Sequence, residues 1–190
     1  MGKNHLVSAF TFLRAWARNP RAVGAILPSS AKLARQMAGM LNNVGPDDLV
    51  VELGAGTGVV TEALLKQGIS PKQLLVFEMS SDMAAILRRR FPDVTIICDN
   101  CINMANYLEN GKRPTAIVSS LPFKSIGRKH SQEIATCLRE LVAPGGQIIQ
   151  FTYGIVKGCT TLTTIFRRVD SEYVWLNVPP ARVDRFENVA

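Results

Sequence analysis

The stretch Val50 to Leu65, VVELGAGTGVVTEALL, decides how the rest of the chain is read. Val50, Val51 and Leu53 flank a single acid, Glu52. Gly54, Gly56 and Gly58 then alternate with Ala55 and Thr57, and an apolar-periodic run begins at Val59. The pattern predicts a strand, a tight loop and a helix. Glycines there let the backbone turn sharply and approach a ligand with no β-carbon in the way. A dinucleotide loop, G-x-G-x-x-G, would need glycine at position 59, which is Val59. The carboxylate of Glu52 would also repel a diphosphate, whereas it suits a ligand with a cationic amino-acid end.

Working outward, short β-branched runs alternate with helical patterns from Asp48 onward, the signature of a mostly parallel sheet covered by helices. Strands are predicted near Leu49–Leu53, Leu74–Glu78, Val94–Cys98, Thr115–Ser119, Gln147–Thr152, Val174–Val178 and Arg182–Phe186. Helices are predicted near Val59–Gln67, Ser81–Arg90, Cys101–Leu108 and Arg128–Leu141. The last two strands are separated only by Pro179, Pro180 and Ala181, which is too short for a parallel crossover and predicts an antiparallel pair at one edge. Ahead of the sheet, helices are predicted over His5–Arg18 and near Ser29–Leu41, the second capped by Ser29 or Ser30 after Pro28. The expected organisation is an N-terminal helical segment over residues 1–45 and one compact α/β domain over 46–190.

Two further acids fall at predicted strand ends. Glu78 closes LLVFE, where a carboxylate can accept from ribose hydroxyls, and Asp99 with Asn100 closes VTIICDN, where either side chain can pair with a purine edge. Met79 follows Glu78, although core packing is the default for methionine. A polar strand end is weak by itself, because chains leave cores through polar residues. Three acids at the carboxyl ends of three consecutive strands, on the edge where open α/β sheets bind ligands, carry more weight.

With these residues in place the sequence resembles the class I S-adenosylmethionine-dependent methyltransferases over roughly Val50 to Phe186. The resemblance implies a Rossmann-like seven-stranded sheet, mostly parallel, with helices on both faces, an N-terminal helical extension, and the last strand inserted antiparallel between the fifth and sixth. It implies S-adenosyl-L-methionine as cofactor. Glu52 and Gly54 to Gly58 (with Ala55 and Thr57) would face its methionine end, Glu78 its ribose, Asp99 and Asn100 its adenine, and Met79 would border the pocket.

The stretch Ser119-Ser120-Leu121-Pro122-Phe123 ends the fourth strand, where adenine N6-methyltransferases, including the rRNA adenine dimethyltransferases, carry Asn/Asp-Pro-Pro-Tyr or Asn-Leu-Pro-Tyr. Here Ser120 replaces the amide or acid that would hold a base amine, and Phe123 replaces the tyrosine that would stack on a flipped base. A closer likeness spans nearly the whole chain. FLRAWARNPRAVGAILPSSAKLARQM, Ser-x-Leu-Pro at Ser119 to Pro122, FTYG at Phe151 to Gly154 and NVPPARV at Asn177 to Val183 resemble the bacterial phospholipid N-methyltransferases. That likeness implies transfer of methyl groups to the amine of phosphatidylethanolamine and its mono- and dimethyl forms, giving phosphatidylcholine. Carbonyls and aromatic faces suit a cationic amine, so Ser119, Ser120, Leu121 and Pro122 are expected at the acceptor, with Phe123 as a wall and Tyr153 orienting the amine.

The charge of +7 points to anionic partners without choosing among them. In the first predicted helix Phe10, Phe12 and Trp16 lie with Arg14 and Arg18, a pattern for packing on the domain or for lying in a membrane interface. The likeness favours the membrane, with Lys124 and Arg182 as further lipid-phosphate contacts. No uninterrupted apolar run reaches the roughly 18 residues of a membrane span, and no clean leader-cleavage site follows the first apolar run. The expected location is therefore cytoplasmic, peripheral on the inner face of the membrane, with phospholipid and an anionic surface as partners and nucleic acid disfavoured. Cys98, Cys101, Cys137 and Cys159 fit no zinc spacing, and no metal is expected. Two alternatives remain: an rRNA adenine methyltransferase, and a noncatalytic membrane-associated protein that binds S-adenosylmethionine.

Overall fold

In the computed structural model, residues 27–153, 158–177 and 180–189 are described. Strands β1 (Val50–Leu53), β2 (Leu74–Phe77) and β4 (Ala116–Ser119) are buried at every position. Strands covered on both faces need continuous apolar runs, and these three supply them. With β3 (Thr95–Ile97) and β5 (Gln147–Tyr153) they form a parallel array in the order β3-β2-β1-β4-β5. Beyond β5 the order continues with β7 (Ala181–Glu187) and then β6 (Arg167–Val174) at the outer edge. β7 pairs antiparallel with both neighbours. This is the class I Rossmann-like methyltransferase arrangement, including the inserted last strand.

One face is covered by α1 (Leu27–Gly39), α2 (Val59–Lys66) and α3 (Ser81–Arg90), which bury Met37, Leu64 and Leu87 against Val50, Val76 and Val118. The other carries the 3-10 segment Cys101–Tyr107, α4 (Arg128–Leu141) and the single-turn α5 (Thr160–Thr163), burying Met104, Leu138 and Leu162 against Val51, Ile117 and Ile148. The two apolar layers are therefore separated by the sheet.

Three expectations need correction. The sixth strand is Arg167–Val174, not Val174–Val178; an edge strand has one unpaired side and an open face, so it accommodates Arg167, Arg168, Asp170 and Glu172. The apolar run that drew the reading instead forms the turn, where Trp175 and Leu176 are exposed. Cys101–Tyr107 is a 3-10 helix: its asparagines make local side-chain bonds, Asn100 capping Ile102 N–H and Asn103 donating to Asp99, which compete with an α-helix. Ser29 and Ser30 lie inside α1 rather than capping it, with Pro28 in its first described turn, where a missing N–H costs little. The short α5 was not anticipated at all. The predicted helix over His5–Arg18, with Phe10, Phe12, Arg14, Trp16 and Arg18, lies outside the described residues.

Candidate functional site

The carboxyl ends of β1, β2, β3 and β4 meet at one edge of the sheet. The chain leaves β1 through Gly54, Gly56 and Gly58, all in the left-handed region at φ 72, 56 and 84°. Only glycine takes that conformation cheaply. Their surroundings differ. A β-carbon on Gly58 would lie 2.5 Å from Phe91 Cε2 and 2.7 Å from Leu87 Cδ2, so this glycine lets α3 and the residue after it pack on the loop. A β-carbon on Gly54 would lie 3.1 Å from Leu121 Cδ2, which belongs to the loop after β4. The glycine loop and the Ser119–Phe123 loop are in contact.

Glu78 spans the mouth of the glycine loop: its Oε2 accepts from Gly56 N–H and its Oε1 from Ser80 N–H, both at 2.8 Å. Arg90 Nη1 donates to Thr57 O at 2.6 Å and closes the loop from outside. Ala55 is buried, Thr57 half-buried and Met79 exposed beside this edge.

Glu52 is fully buried below the loop. Its Oε2 accepts from Thr61 Oγ1 at 2.6 Å, while its Oε1 has no partner among the described residues. Burial pushes its pKa from 4.5 up to about 8, against the lowering effect of the Thr61 bonds. An orphaned buried carboxylate oxygen of this kind is at its most comfortable beside a cation. Asp99 accepts from Asn100 N–H at 2.6 Å, from the Asn103 amide at 3.0 Å and from the Tyr107 hydroxyl at 2.9 Å. The backbone bond from Asn100, followed by those from Tyr107 and Asn103, holds its carboxyl below the ordinary value. Acceptors that keep free lone pairs at Glu78 and Asp99, an unpaired oxygen at Glu52 and a loop whose glycines carry no β-carbon between them fit S-adenosylmethionine.

In the loop that ends β4, Ser119 is buried and its Oγ accepts from Leu121 N–H at 3.3 Å; Ser120 N–H donates to Leu53 O at 2.9 Å. Ser120, Leu121 and Pro122 are half-buried. Phe123 is 6 % exposed and packs with Ile134 and Leu138, its carbonyl accepting from Ser131 Oγ at 3.1 Å. Tyr153 ends β5 and is 46 % exposed, its ring edge-on to Phe151 at 5.2 Å. Lys124 Nζ donates to Tyr153 O at 3.2 Å, so the loop and the end of β5 are tied together.

Arg182 does not sit where a surface cation would. It is 7 % exposed, its Nε donates to Asp184 Oδ1 at 2.7 Å and its Nη2 to Ser171 Oγ at 2.8 Å. A buried charge must be compensated close by, and Arg182 is compensated within the protein, which corrects its expected role on lipid phosphate. Cys98 and Cys101 are free thiols, and burial pushes the Cys101 thiol up to about 12, far from a reactive thiolate.

Sequence reasoning missed Thr61, Gln150 and Tyr107. Thr61 is the polar break in VVTEALL on the face of α2 that looks back at Glu52, which is a readable signal. Gln150, buried mid-strand, donates to Leu121 O at 3.1 Å and clamps the loop after β4 from below. Among the described residues no helix is long and apolar enough to cross a membrane, and no group of three or more metal-ligating side chains occurs. A cavity lined by Asn42, Asp48, Gln147 and Arg185 opens at the opposite edge of the sheet, away from all of these groups.

The family described as "Methyltransferase domain" matches residues 50–146. An ornithine lipid N-methyltransferase of Singulisphaera acidiphila is 26% identical over 183 residues, covering 90% of this chain and 92% of that protein. Ribosomal RNA small subunit methyltransferase A of Thermotoga maritima is 27% identical over 113 residues; the match takes in 58% of this chain and 38% of that protein. Among solved structures, the N-methyltransferase NodS of Bradyrhizobium japonicum superposes with a TM-score of 0.70 at 15% identity, covering 86% of this chain and 98% of that one. A 1,6-didemethyltoxoflavin-N1-methyltransferase of Burkholderia thailandensis gives 0.68 at 17% identity, covering 98% and 88%. These structures share the fold. With its glycine loop, its three strand-end acids and a family match over half its length, the chain belongs to the methyltransferase domain family and is a class I S-adenosylmethionine-dependent methyltransferase, distantly related to both lipid- and rRNA-methylating enzymes.

Proposed function

We propose that this enzyme methylates the amine of phosphatidylethanolamine, and of its mono- and dimethyl forms, at the inner surface of the cytoplasmic membrane. The observation that carries the reading is the end-to-end match, over 90% of the chain, to a protein whose name specifies a lipid amine. The rRNA relatives match 58% and 55% of this chain and 38% of their own length. Two features of the site favour an aliphatic amine over a base. Ser120 supplies a hydroxyl where an amide would pair with adenine, and Phe123 is turned into the core rather than held open for stacking.

In this reading Glu52 receives the ammonium of the cofactor's methionine end, Gly54 to Gly58 pass beneath it, Glu78 accepts from the ribose hydroxyls, and Asp99 with Asn100 meets the adenine. When bound, S-adenosylmethionine supplies an electrophilic methyl on a sulfonium, which a neutral amine takes up. The chain's own contribution is alignment of the acceptor. Leu121 and Pro122 shape the loop, their carbonyls engaged by Gln150 and Phe123 N–H and by Ser125 and Ile126 N–H, while Ser119 and Ser120 supply hydroxyl acceptors, Phe123 backs the loop, and Tyr153 orients the head group from the end of β5. Each acceptor attracts a cation and so holds the ammonium while its proton passes to water. Phe10, Phe12 and Trp16 with Arg14 and Arg18 give the segment 1–45 its membrane contact, and Lys124 reaches lipid phosphate.

The test is product identification. Purified protein with methyl-labelled cofactor and phosphatidylethanolamine vesicles should yield mono-, di- and trimethylated lipid on chromatography. Ornithine-lipid vesicles and rRNA run in parallel arms. Label only in ornithine lipid would move the acceptor to that head group, label only in RNA would overturn the lipid reading, and cofactor binding without label anywhere would leave a noncatalytic binder.

A further inference from the structure

The turn between β6 and β7 carries an aromatic ledge that the chemistry at the glycine loop does not use. Tyr173, Trp175 and Leu176 are 42 %, 62 % and 71 % exposed, while Val174 and Asn177 on either side are buried. Asn177 N–H donates to Val174 O at 3.2 Å and closes the turn. The rings of Tyr173 and Trp175 stack at 5.6 Å with planes 25° apart, and the Arg182 guanidinium lies 5.6 Å from the centre of the Tyr173 ring. Arg182 is itself locked by Asp184 and Ser171. A buried ion pair thus supports a tyrosine, the tyrosine supports a tryptophan, and the tryptophan is held in water.

We propose that this ledge is a membrane contact: Trp175 and Leu176 enter the interfacial layer of an anionic bilayer and hold the acceptor edge of the sheet against it. Three observations select that occupant. First, β6 runs parallel to β5, so the turn leaves the sheet at the same edge as the Ser119–Phe123 loop. Tyr153 pairs with Ala181 and Ala181 with Val174, which puts the ledge two strand spacings, about 10 Å, from the end of β5, where Lys124 is bonded. Second, the chemistry matches: tryptophan and tyrosine favour the boundary between head groups and acyl chains, and a large exposed apolar cluster in a soluble domain marks a contact surface. Third, the charge is complementary. Residues 173–177 contain no acid, Lys124, Arg128 and Lys129 follow at the same edge, and Glu172 is engaged by Gln36. The purpose of the contact, presenting a membrane lipid to the acceptor loop, rests on the proposed function; its existence does not.

The chain has two tryptophans, so Trp16→Phe leaves Trp175 as the only one. With that variant as full-length protein, vesicles of phosphatidylethanolamine and phosphatidylglycerol should shift the emission to the blue, and brominated phosphatidylcholine in the same vesicles should quench it by roughly half, as expected of an interfacial ring. Unchanged emission from protein that sediments with the vesicles would overturn the proposal, and so would failure to sediment. In the otherwise native chain, Trp175→Glu with Leu176→Glu should weaken vesicle affinity roughly tenfold while S-adenosylmethionine binding by calorimetry stays intact; equal vesicle affinity would also overturn it. Quenching of Trp175 with no methylated lipid would sink the acceptor assignment and leave this contact standing, whereas methylated lipid with a silent Trp175 would do the reverse.

Discussion

The Leu121 side chain lies 3.1 Å from where a β-carbon on Gly54 would be. The loop that ends β4 therefore rests on the first glycine of the loop that ends β1, and a change at either is felt by the other. Gly54→Ala adds a left-handed strain of about 1–2 kcal/mol and pushes on Leu121. It should reduce cofactor affinity at least tenfold in calorimetry, and Gly54→Val should abolish it. Wild-type affinity in either variant would remove the glycine loop from the cofactor site.

Gly58 fails differently. Its β-carbon would press on Phe91 and Leu87, within 2.7 Å of both. Gly58→Ala should cost about 2–4 kcal/mol from overpacking and left-handed strain, read as a lowered midpoint in denaturant. A Gly58→Ala protein as stable as wild type would show that α3 shifts freely.

Glu52 makes both stability and binding depend on pH. Its folded pKa of about 8 stands above the ordinary 4.5, so between those values the folded protein holds a proton that the unfolded chain has released. The stabilisation from that proton is complete below about pH 4.5 and is lost as pH rises through 8, a change of a few kcal/mol at most. Glu52→Gln should flatten that slope in denaturant titrations. A ligand ammonium beside Oε1 favours the carboxylate, so binding of S-adenosylmethionine at pH 7 should release close to one proton. Calorimetry in two buffers of different ionisation enthalpy measures it. Equal proton release from the glutamine variant would place the ammonium elsewhere.

Asp184 should be needed for stability, because it neutralises the buried Arg182. Asp184→Ala leaves Arg182 buried and unpaired, a loss of about 3–5 kcal/mol in unfolding free energy. Arg182→Met with Asp184→Leu removes both charges and should recover most of it. A single variant with wild-type stability would mean that the pair opens to solvent.

Much of the fold was legible because its signals are local. The apolar strands, the glycine loop and the acids after Phe77 and Cys98 all sit in short runs of sequence, and the short last connection announced the antiparallel edge. What was hidden depends on neighbours distant in sequence. Arg182 reads as a surface cation until Asp184 is placed two residues on, on the same face of β7, with Gly158 packed over both. Phe123 reads as exposed in a Leu-Pro-Phe turn, but Ser131 draws its carbonyl toward α4 and the ring follows into the core. The sixth strand was missed because its charges are tolerated only at an edge, and Trp175 and Leu176 imitated a strand where the chain turns. Glu52, Gly54 and Glu78 stand together at one edge as their spacing implied; Thr61 and Gln150, which hold Glu52 and Leu121, are set by tertiary contacts.

The central claim is that the loop resting on Gly54 holds a lipid amine in line with the cofactor methyl. The most direct measurement is a competition in one vessel: labelled S-adenosylmethionine, phosphatidylethanolamine vesicles and rRNA together, with label counted in each fraction. The account predicts label in the lipid, with little in RNA, and a loss of lipid labelling in Gly54→Val. Label confined to RNA, or lipid labelling that survives Gly54→Val, would contradict it.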